Sequence, residues 1–305
     1  MDLFTDRLRE LSGSVCFDEP MKKHTTFQVG GPAEVFVTPQ TVSEMASVVR
    51  LCREFGKPYF ILGNGSNLLV SDEGYRGVVI HVGHAFEEIR IEESRIFAGA
   101  GAALARMAAK ARDASLSGLE FASGIPGTVG GALVMNAGAY GGEMAQVVCG
   151  ATVLTKNGEE KRLDRAMLQM GYRKSCILPM EYIVTEVELA LEPGDKGQIC
   201  LKMEELAVRR KEKQPLEYPS AGSTFKRPEG FFAGKLVMDA GLRGFSVGGA
   251  CVSEKHCGFV VNKGGASATD ILELCRQVRG QVLKKFGVAL ELEIRLLGEF
   301  EHPYS

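Results

Sequence analysis

The most unusual part of this 305-residue sequence is Gly124-Ile125-Pro126-Gly127-Thr128-Val129-Gly130-Gly131-Ala132, followed closely by Met135-Asn136-Ala137-Gly138-Ala139-Tyr140-Gly141-Gly142. Glycine has no side chain, so a run of this kind lets the main chain approach a large flat ligand closely. No strand and helix bracket the run at the spacing of a G-x-G-x-x-G dinucleotide turn. We therefore expect a different fold to hold any ligand bound here.

A second glycine cluster, Gly63-Asn64-Gly65-Ser66-Asn67, directly follows the apolar run Tyr59 to Leu62, which we interpret as a strand. Successive main-chain N–H groups in such a turn, together with the Ser and Asn side chains, can bind a diphosphate. The same composition is also typical of an ordinary turn at the end of a strand. The pentapeptide alone does not decide between the two interpretations.

The apolar pattern around the second cluster predicts a first compact unit, residues 1–82. Residues 41–55 carry apolar side chains at helical spacing, whereas residues 34–37, 59–62 and 78–82 are short apolar runs typical of strands. A strand, helix, strand order of this kind predicts an α/β unit with a short parallel pairing.

The rest of the chain predicts two further units and a short tail. The second unit is residues 83–213, with predicted strands and helices at 151–154, 182–191, 102–116 and 197–212. The proline-bounded stretch from Gln214 to Pro219 cannot continue a helix, so we place a boundary there. The third unit is then residues 214–298, and residues 299–305 are the tail.

Two patterns organise the third unit. Ser267 and Asp270 have the spacing of a capping arrangement and precede an apolar helical face that extends to Phe286. From Val288 to Leu296, apolar and other residues alternate, which predicts a half-buried strand. On that strand three side chains would share one face: Glu291, Glu293 and Arg295.

Composition excludes several classes of partner. Lys and Arg number 36 against 38 Asp and Glu, so no overall positive field favours nucleic acid. No apolar run approaches the roughly 18 residues that span a bilayer, and Met1 to Asp6 lacks a basic region followed by an apolar core. We expect a cytoplasmic protein that binds neither nucleic acid nor membranes.

The eight cysteines form no C-x-x-C pair and no disulfide framework: Cys16, Cys52, Cys149, Cys176, Cys200, Cys251, Cys257 and Cys275. We interpret them as small buried apolar residues. Cys251, Cys257 and His256 are near neighbours in the sequence, but a zinc site needs about four ligands and no second cluster is evident. No metal is expected.

Ser223 is a hydroxyl between glycine and basic residues, in the stretch from Ser220 to Pro228. An isolated serine is most often a turn or cap residue. No G-x-S-x-G elbow surrounds it, which disfavours a hydrolase, so any chemistry at Ser223 would be proton transfer. Upstream, four basic residues end a predicted helix, where a solvated terminus is the ordinary interpretation: Arg209, Arg210, Lys211 and Lys213.

Taken together, these segments resemble the UDP-N-acetylenolpyruvoylglucosamine reductases, also called UDP-N-acetylmuramate dehydrogenases, from about His24 to Gly298. The matching pieces, in order, are His24 to Phe27 with Gly30 to Ala33, Gly63 to Asn67, Gly124 to Gly142, Tyr172-Arg173, Gly222 to Pro228, Val261-Asn262, and Leu290 to Arg295.

The resemblance implies an α+β protein with non-covalent FAD. Two α+β subdomains of the vanillyl-alcohol-oxidase or PCMH type would bind the cofactor, and a C-terminal α+β domain would bind the substrate. The turn of Gly63, Asn64, Gly65, Ser66 and Asn67 would hold the FAD diphosphate. The isoalloxazine ring would be lined by Gly124, Pro126, Gly127, Gly130, Gly131, Asn136, Ala137 and Gly138.

The implied reaction is the reduction of UDP-N-acetylglucosamine enolpyruvate to UDP-N-acetylmuramate for peptidoglycan synthesis, by a monomer. By the same resemblance, NADPH would reduce the flavin and leave, flavin N5 would give hydride to C3 of the enolpyruvyl group, and C2 would become enolate-like. Arg173 matches the family's catalytic arginine, whose guanidinium can hold the substrate carboxylate. Glu293 matches the assisting carboxyl group, and Ser223 the proton donor to C2.

The substrate-binding residues implied by the resemblance are Tyr172, Lys213, Lys226 and Arg227. Arg227 stands where one branch of the family has asparagine, and no segment looks like that branch's tyrosine-bearing substrate loop. The chain therefore resembles the shorter type, and we name no aromatic residue that stacks on the uridine.

Two rival functions remain open. Another FAD enzyme of the same fold, such as an oxidase or a molybdenum-hydroxylase flavin subunit, would share the glycine clusters Gly30-Gly31 and Gly63 to Asn67. It would not need Ser223, Arg173 and Glu293 together. A flavin- or nucleotide-binding module with a regulatory role and no turnover is the rival from a different class.

Overall fold

The computed structural model describes residues 3–300 of the chain. The α-helices are α1 (Leu3–Leu11), α2 (Val42–Glu54), α3 (Leu104–Asp113), α4 (Val129–Val134), α5 (Met144–Val147), α6 (Lys196–Lys213), α7 (Ala233–Asp239) and α8 (Ala268–Phe286). Short 3-10 turns are Met21–Lys23, His84–Phe86 and Glu120–Ala122. Met1, Asp2 and most of the predicted tail, residues 301–305, lie outside the described residues.

The strands are β1 (Val15–Pro20), β2 (Pro32–Val37), β3 (Tyr59–Leu62), β4 (Leu68–Val70), β5 (Tyr75–His81), β6 (Ile89–Glu92), β7 (Arg95–Gly99), β8 (Leu116–Ser117), β9 (Gly138–Ala139), β10 (Gly142–Glu143), β11 (Val148–Leu154), β12 (Glu160–Asp164), β13 (Ile183–Ala190), β14 (Glu192–Pro193), β15 (Ser246–Val247), β16 (Ala250–Val252), β17 (Val260–Asn262) and β18 (Arg295–Leu297).

Most of the predicted elements are confirmed because their signals are local. The helix predicted at 41–55 is α2, whose N-cap Thr41 accepts a hydrogen bond from the Glu44 N–H. The predicted short parallel pairing is that of β3 with β5, from Tyr59 opposite Val78 to Leu62 opposite His81. No helix among residues 3–300 combines the length and apolar character needed to span a bilayer.

The chain divides into two compact units, each built from separate stretches of sequence. Unit 1 comprises the chain up to Cys16, Val35–Asn64 and Gly77–Arg210. Unit 2 comprises Phe17–Glu34, Gly65–Arg76 and the chain from Lys211 onward. This division differs from the three consecutive segments 1–82, 83–213 and 214–298, which stay predictions about functional domains.

Unit 1 is organised by a five-stranded antiparallel sheet in the order β12-β11-β13-β7-β6. The helix α4 packs on β7 and β13, and the main-chain N–H of Gly130 donates to the carbonyl of Ala100, just after β7 (2.9 Å). The sheet therefore fixes the position of the long glycine-rich run.

Unit 2 has its core between α8 and the antiparallel sheet β15-β16-β17. Phe27 and Leu69, from early in the chain, are fully buried in this core. The amide of Asn262 donates to the main-chain carbonyl of Phe27 (3.1 Å). The predicted capping box at Ser267 and Asp270 is confirmed at the start of α8. Residues far apart in sequence thus form one core.

The strand predicted from Val288 to Leu296 is wrong over most of its length. Only Arg295–Leu297 is a strand, and it pairs in parallel with β4. Upstream, a single antiparallel bridge joins Phe225 to Leu292. The segment changes hydrogen-bonding partners along its length. Its alternation therefore describes side-chain burial and not a continuous strand.

The prediction of buried cysteines is confirmed for five positions, namely Cys52, Cys176, Cys251, Cys257 and Cys275. It is wrong for Cys16, which is exposed on the outer face of β1. It is also wrong for Cys149 and Cys200, which are partly exposed. The alternation of a strand places neighbouring side chains on opposite faces, so an apolar residue type alone does not determine burial.

Glu188 on β13 is a buried carboxylate in unit 1, bonded to the guanidinium groups of Arg95 and Arg162. Burial acts to raise the pKa of Glu188, but the hydrogen bonds from Arg162 and Arg95 outweigh it and lower the pKa. A carboxyl group with a lowered pKa in the folded state stabilises that state at neutral pH, and the contribution disappears as the pH falls through the folded-state pKa.

We expect Glu188→Gln to lower the free energy of unfolding at pH 7 by about 1–3 kcal/mol, because two charge-assisted hydrogen bonds are weakened. Urea unfolding is measured from pH 7 down to below about 4, the ordinary pKa of a glutamate side chain. The difference in the free energy of unfolding between the variant and the parent should shrink as the pH falls. The matched control is Glu186→Gln, which removes a more exposed carboxylate paired with Arg90 on the same strand. Equal effects at Glu188 and Glu186 would contradict the prediction.

Candidate active site

Tyr172 and Arg173 form the tip of a tight turn in unit 1. The Gly171 N–H donates to the Lys174 carbonyl (3.0 Å), and the Lys174 N–H donates to the Gly171 carbonyl (3.1 Å). Arg173 has a φ of 55°, a left-handed conformation that is uncommon for a residue with a side chain. Its guanidinium carbon lies 5.2 Å from the centre of the Tyr172 ring, which is largely exposed. The two predicted site residues are therefore neighbours.

The segments that carry Ser223 and Glu293 are bonded to each other in unit 2 through Thr224. The Thr224 N–H donates to the Gly258 carbonyl (2.9 Å), and its carbonyl accepts from the Glu293 N–H (2.8 Å). The Thr224 hydroxyl accepts a hydrogen bond from the Val260 N–H (2.9 Å) and is fully buried. Ser223, half-buried, thus precedes a firmly held residue whose main chain is bonded to Glu293.

The turn from Gly63 to Asn67 presents main-chain donors that the protein leaves unused. Within the described residues, none of the main-chain N–H groups from Gly63 to Asn67 donates a hydrogen bond. The Gly65 carbonyl instead accepts from the Thr26 N–H (3.2 Å), which fixes the direction of the turn. A row of free N–H groups at the end of a strand is suited to an anionic diphosphate.

The end of this turn is bonded to the segment that carries Glu293. The Asn67 side-chain amide donates to the Glu293 carbonyl (3.2 Å), and the Asn67 carbonyl accepts from the Arg295 N–H (3.0 Å). The structure therefore connects the predicted diphosphate turn directly to a predicted catalytic residue within unit 2.

Several of the predicted cofactor-binding glycines make room for protein atoms. A Cβ added at Gly63 would lie 2.5 Å from the Thr128 hydroxyl, and one added at Gly130 would lie 2.8 Å from the Ala100 Cβ. Gly65, with a φ of 58°, packs against the His24 carbonyl. Close packing between segments is thus one reason for glycine at these positions, in addition to any approach of a ligand.

Other members of the long run face outward. Gly124, Pro126 and Gly131 are exposed, and Gly127, Ala137 and Gly138 are half-buried. A Cβ added at Gly131 would meet only the Thr128 hydroxyl, at 3.4 Å. Within unit 1, this open glycine backbone and the unused N–H groups of Gly63 and Asn64 fit the cofactor that the resemblance implies.

Asn136 differs from the rest of this run. Its side chain is fully buried, its φ is 42°, and its amide is bonded to the main chain at both ends. The structure thus assigns Asn136 contacts with protein, whereas the resemblance implies a contact with the cofactor.

The predicted substrate-binding cations lie in three settings. Lys213 is exposed at the end of α6. The Lys226 ammonium pairs with the Glu291 carboxylate (2.9 Å), and this hydrogen bond lowers the pKa of Glu291. The Arg227 guanidinium carbon stands 4.0 Å from the centre of the Phe232 ring. Phe232 is an exposed aromatic residue that the sequence analysis did not single out.

Arg210 is a further residue whose setting sequence reasoning missed. It is buried, burial lowers its pKa, and a hydrogen bond with Tyr140 opposes that effect. A Cβ added at Gly124 would lie 3.0 Å from its guanidinium group. The interpretation as a solvated helix terminus is therefore wrong for Arg210. The available signal was its spacing from the buried Ile199 and Leu206, which continues one helical stripe.

Among residues 3–300, no group of three or more His, Cys, Asp or Glu side chains is arranged to hold a metal ion. Burial lowers the pKa of His256, whose ring Nδ1 accepts a hydrogen bond from the Gly258 N–H (3.1 Å).

Comparisons with known protein families match two parts of the chain. Residues 33–164 match the family described as FAD binding domain, and residues 214–297 match that described as UDP-N-acetylenolpyruvoylglucosamine reductase, C-terminal domain. Proteins named UDP-N-acetylenolpyruvoylglucosamine reductase from Agathobacter rectalis and Alkaliphilus oremlandii are 56% and 51% identical over 295 and 285 residues. Each comparison covers 93% of this chain and 94% of the relative.

Solved structures agree. The crystal structure of UDP-N-acetylenolpyruvylglucosamine reductase from Thermus caldophilus has a TM-score of 0.80 at 39% identity, covering 93% of this chain and 98% of that chain. Wild-type Phl p 4.0202, a glucose dehydrogenase, has a TM-score of 0.50 at 15% identity, covering 64% of this chain and 45% of that chain. The second likeness shows the fold alone.

The mixed helix and strand architecture and the matched FAD-binding domain define an α+β flavoprotein oxidoreductase with FAD as its cofactor. At more than 50% identity over nearly all of its length, the chain belongs to the UDP-N-acetylenolpyruvoylglucosamine reductase family. The fold class and the family expected from the sequence are confirmed, and the protein is an enzyme of peptidoglycan precursor synthesis.

Proposed function

We propose that this enzyme reduces UDP-N-acetylglucosamine enolpyruvate to UDP-N-acetylmuramate, with NADPH as the electron donor. The single observation that carries the proposal is the hydrogen bond from the Glu293 N–H to the Thr224 carbonyl, which joins the segments of Ser223 and Glu293 in unit 2. FAD, when bound, supplies hydride transfer to C3 of the enolpyruvyl group. The residues of the chain must then bind the carboxylate and protonate C2.

Arg173 is proposed to hold the substrate carboxylate. Negative charge develops at C2 and its carboxylate during reduction, and a guanidinium placed there stabilises that charge. The support is its position at the tip of a hydrogen-bonded turn beside the exposed Tyr172. Tyr172 is proposed as a substrate contact on the same turn.

Ser223 is proposed to donate the proton to C2, with Glu293 assisting. A neutral hydroxyl donates a proton only if neighbouring groups stabilise the resulting alkoxide. Lys226 and Arg227, on the same segment, are proposed to provide that positive charge and to bind the substrate together with Lys213. The ion pair of Lys226 with the exposed Glu291 would have to open for this contact.

The FAD diphosphate is proposed to bind at the turn from Gly63 to Asn67, supported by its unused N–H groups. The exposed part of the long glycine run is proposed to line the isoalloxazine ring. We also propose that the enzyme acts as a monomer in the cytoplasm, without binding nucleic acid or membranes, and that residues 1–82, 83–213 and 214–298 are its functional domains.

Gly131→Ala tests the proposed ring contact, because the added methyl group meets no protein atom closer than 3.4 Å. We expect the affinity for FAD to fall about 10- to 100-fold, the effect of forcing a methyl group into a filled contact. Flavin fluorescence during titration of the apoprotein measures this. Gly13→Ala is the matched control, since its methyl group would have no neighbour within 4 Å. Unchanged affinity in Gly131→Ala would remove Gly131 from the site.

The overall reaction is tested by anaerobic stopped-flow absorbance of the purified holoenzyme. The enzyme is first reduced with NADPH and then mixed with UDP-N-acetylglucosamine enolpyruvate, while the flavin band is followed. Rapid reoxidation with formation of UDP-N-acetylmuramate would support the proposal. A reduced flavin that ignores the nucleotide sugar but reacts with oxygen would overturn it in favour of an oxidase.

A further inference from the structure

Asn136 lies at the centre of a hydrogen-bonded connection to the turn that carries Arg173. Its amide nitrogen donates to the Gly171 carbonyl (3.0 Å), and its amide oxygen accepts from the Ala145 N–H (2.9 Å). The side chain is fully buried. The nitrogen and the oxygen of this one amide group therefore bond to main-chain groups of two different segments.

A second bond ties the other side of the same turn. The Ser175 hydroxyl donates to the Val134 carbonyl (2.9 Å) and accepts, more weakly, from the Ile177 N–H (3.4 Å). Gly171 and Ser175 flank the tip residues Tyr172 and Arg173, so the turn is held from both sides by residues 134 and 136. A left-handed arginine persists only where surrounding bonds hold it in place.

The chemistry of this connection requires asparagine. The position needs a donor towards Gly171 and an acceptor towards Ala145 in one short side chain, which an amide supplies and a carboxylate does not. It also needs a positive φ, which asparagine tolerates better than most other residues. A buried side chain whose amide is bonded to the main chain at both ends is suited to fixing backbone geometry.

We propose that Asn136 is a positioning residue for Arg173, holding the turn so that the guanidinium meets the substrate carboxylate. The proposal rests on the proposed function of Arg173. Asn136 touches neither substrate nor reacting atoms, and it acts through the Gly171 carbonyl. Ser175 contributes the second tether. The glycine-rich run thereby determines where the arginine stands.

The first variant is Asn136→Asp, which keeps the acceptor for the Ala145 N–H and loses the donor to Gly171. In stopped-flow experiments on the NADPH-reduced holoenzyme, we expect reoxidation by the enolpyruvyl substrate to slow roughly 10- to 100-fold, the scale for a small misplacement of a reacting group. The readout that should not respond to substrate positioning is taken from Ser175→Ala, which breaks the second tether. In that variant, flavin reduction by NADPH should stay within about two-fold of the parent and the flavin spectrum should be unshifted, because Arg173 acts only on the substrate.

A double-mutant cycle with Arg173→Ala separates positioning from general damage. If Asn136 acts through Arg173, adding Asn136→Asp to Arg173→Ala should slow reoxidation no further. Multiplicative effects of the two substitutions would overturn the inference while leaving the role of Arg173 intact. Normal reoxidation in Arg173→Ala alone would instead overturn the proposed function, so the two failures are distinguishable.

Ser175→Ala keeps the proposal testable if Asn136→Asp fails to fold or to retain FAD. It breaks the other tether without burying a charge, and it should slow reoxidation several-fold with the same non-additivity. The matched control is Thr185→Val, which removes a similar buried hydroxyl that donates to the Thr152 carbonyl (3.1 Å) in the sheet. Equal slowing in Ser175→Ala and Thr185→Val would overturn the positioning role.

Discussion

Ser223→Ala is expected to retain FAD and its reduction by NADPH but to lose reoxidation by the enolpyruvyl substrate by roughly 10²- to 10⁴-fold, the usual contribution of a positioned acid or base. The substitution removes one hydroxyl and leaves the main chain in place. The bonds of Thr224 to Gly258, Val260 and Glu293 do not involve the Ser223 side chain. The loss would therefore reflect proton transfer and not a displaced segment.

The measurement is single-turnover stopped-flow, with the reductive and oxidative half-reactions followed separately. Ser246→Ala is the matched control, because Ser246 is an exposed serine of unit 2 whose hydroxyl donates only to the nearby Gly244 carbonyl (3.1 Å). It should leave both half-reactions unchanged. Normal turnover in Ser223→Ala would remove Ser223 from the mechanism and leave the proton donor to be found elsewhere.

Arg173→Lys is expected to slow reoxidation about 10²- to 10³-fold, the loss typical when one charge-stabilising group is removed from an active site. Lysine keeps the positive charge, but an ammonium group cannot replace the planar fork that binds both oxygens of a carboxylate. The lysine side chain is also shorter than that of arginine. Because the turn that carries it is fixed at both ends, the ammonium group reaches less far towards the carboxylate, which adds to the loss. Flavin reduction by NADPH should be unaffected.

Lys174→Ala provides the comparison, since Lys174 is an exposed cation of the same turn and its main chain, not its ammonium group, closes the turn. A few-fold change there would measure the general effect of local charge. Reoxidation within a few-fold of the parent in Arg173→Lys would count against a carboxylate-binding role for the arginine.

Local signals made much of the fold predictable. The helix at 41–55 has a hydroxyl cap at Thr41, and the last helix has the Ser267 and Asp270 capping box, so neither depends on distant parts of the chain. The segment 288–296 failed as a strand for the opposite reason. Its alternation reports which side chains are buried, whereas a strand also needs a continuous partner, and this segment has several.

The sequence suggested which residues form the candidate site, but it predicted few of the contacts between them. Tyr172 and Arg173 are neighbours in sequence, and their common turn follows directly. Glu293 is connected to the segment of Ser223 through Thr224 and is bonded directly to Asn67. These residues are separated by 70 to 226 positions in the sequence, so no local pattern could predict their contacts. The roles of these residues remain proposals.

By itself, the sequence determined the helices with capped ends, the position of both glycine clusters and, through seven matching segments, the family. Only the tertiary structure decided that Thr128 packs closely against Gly63 and Ala100 against Gly130. It also decided that Arg210 is buried and that Asn136 is bonded to the turn of Arg173. The physical reason is that capping and periodicity act within a few residues, whereas close packing and amide bonding join atoms whose proximity only the folded chain creates.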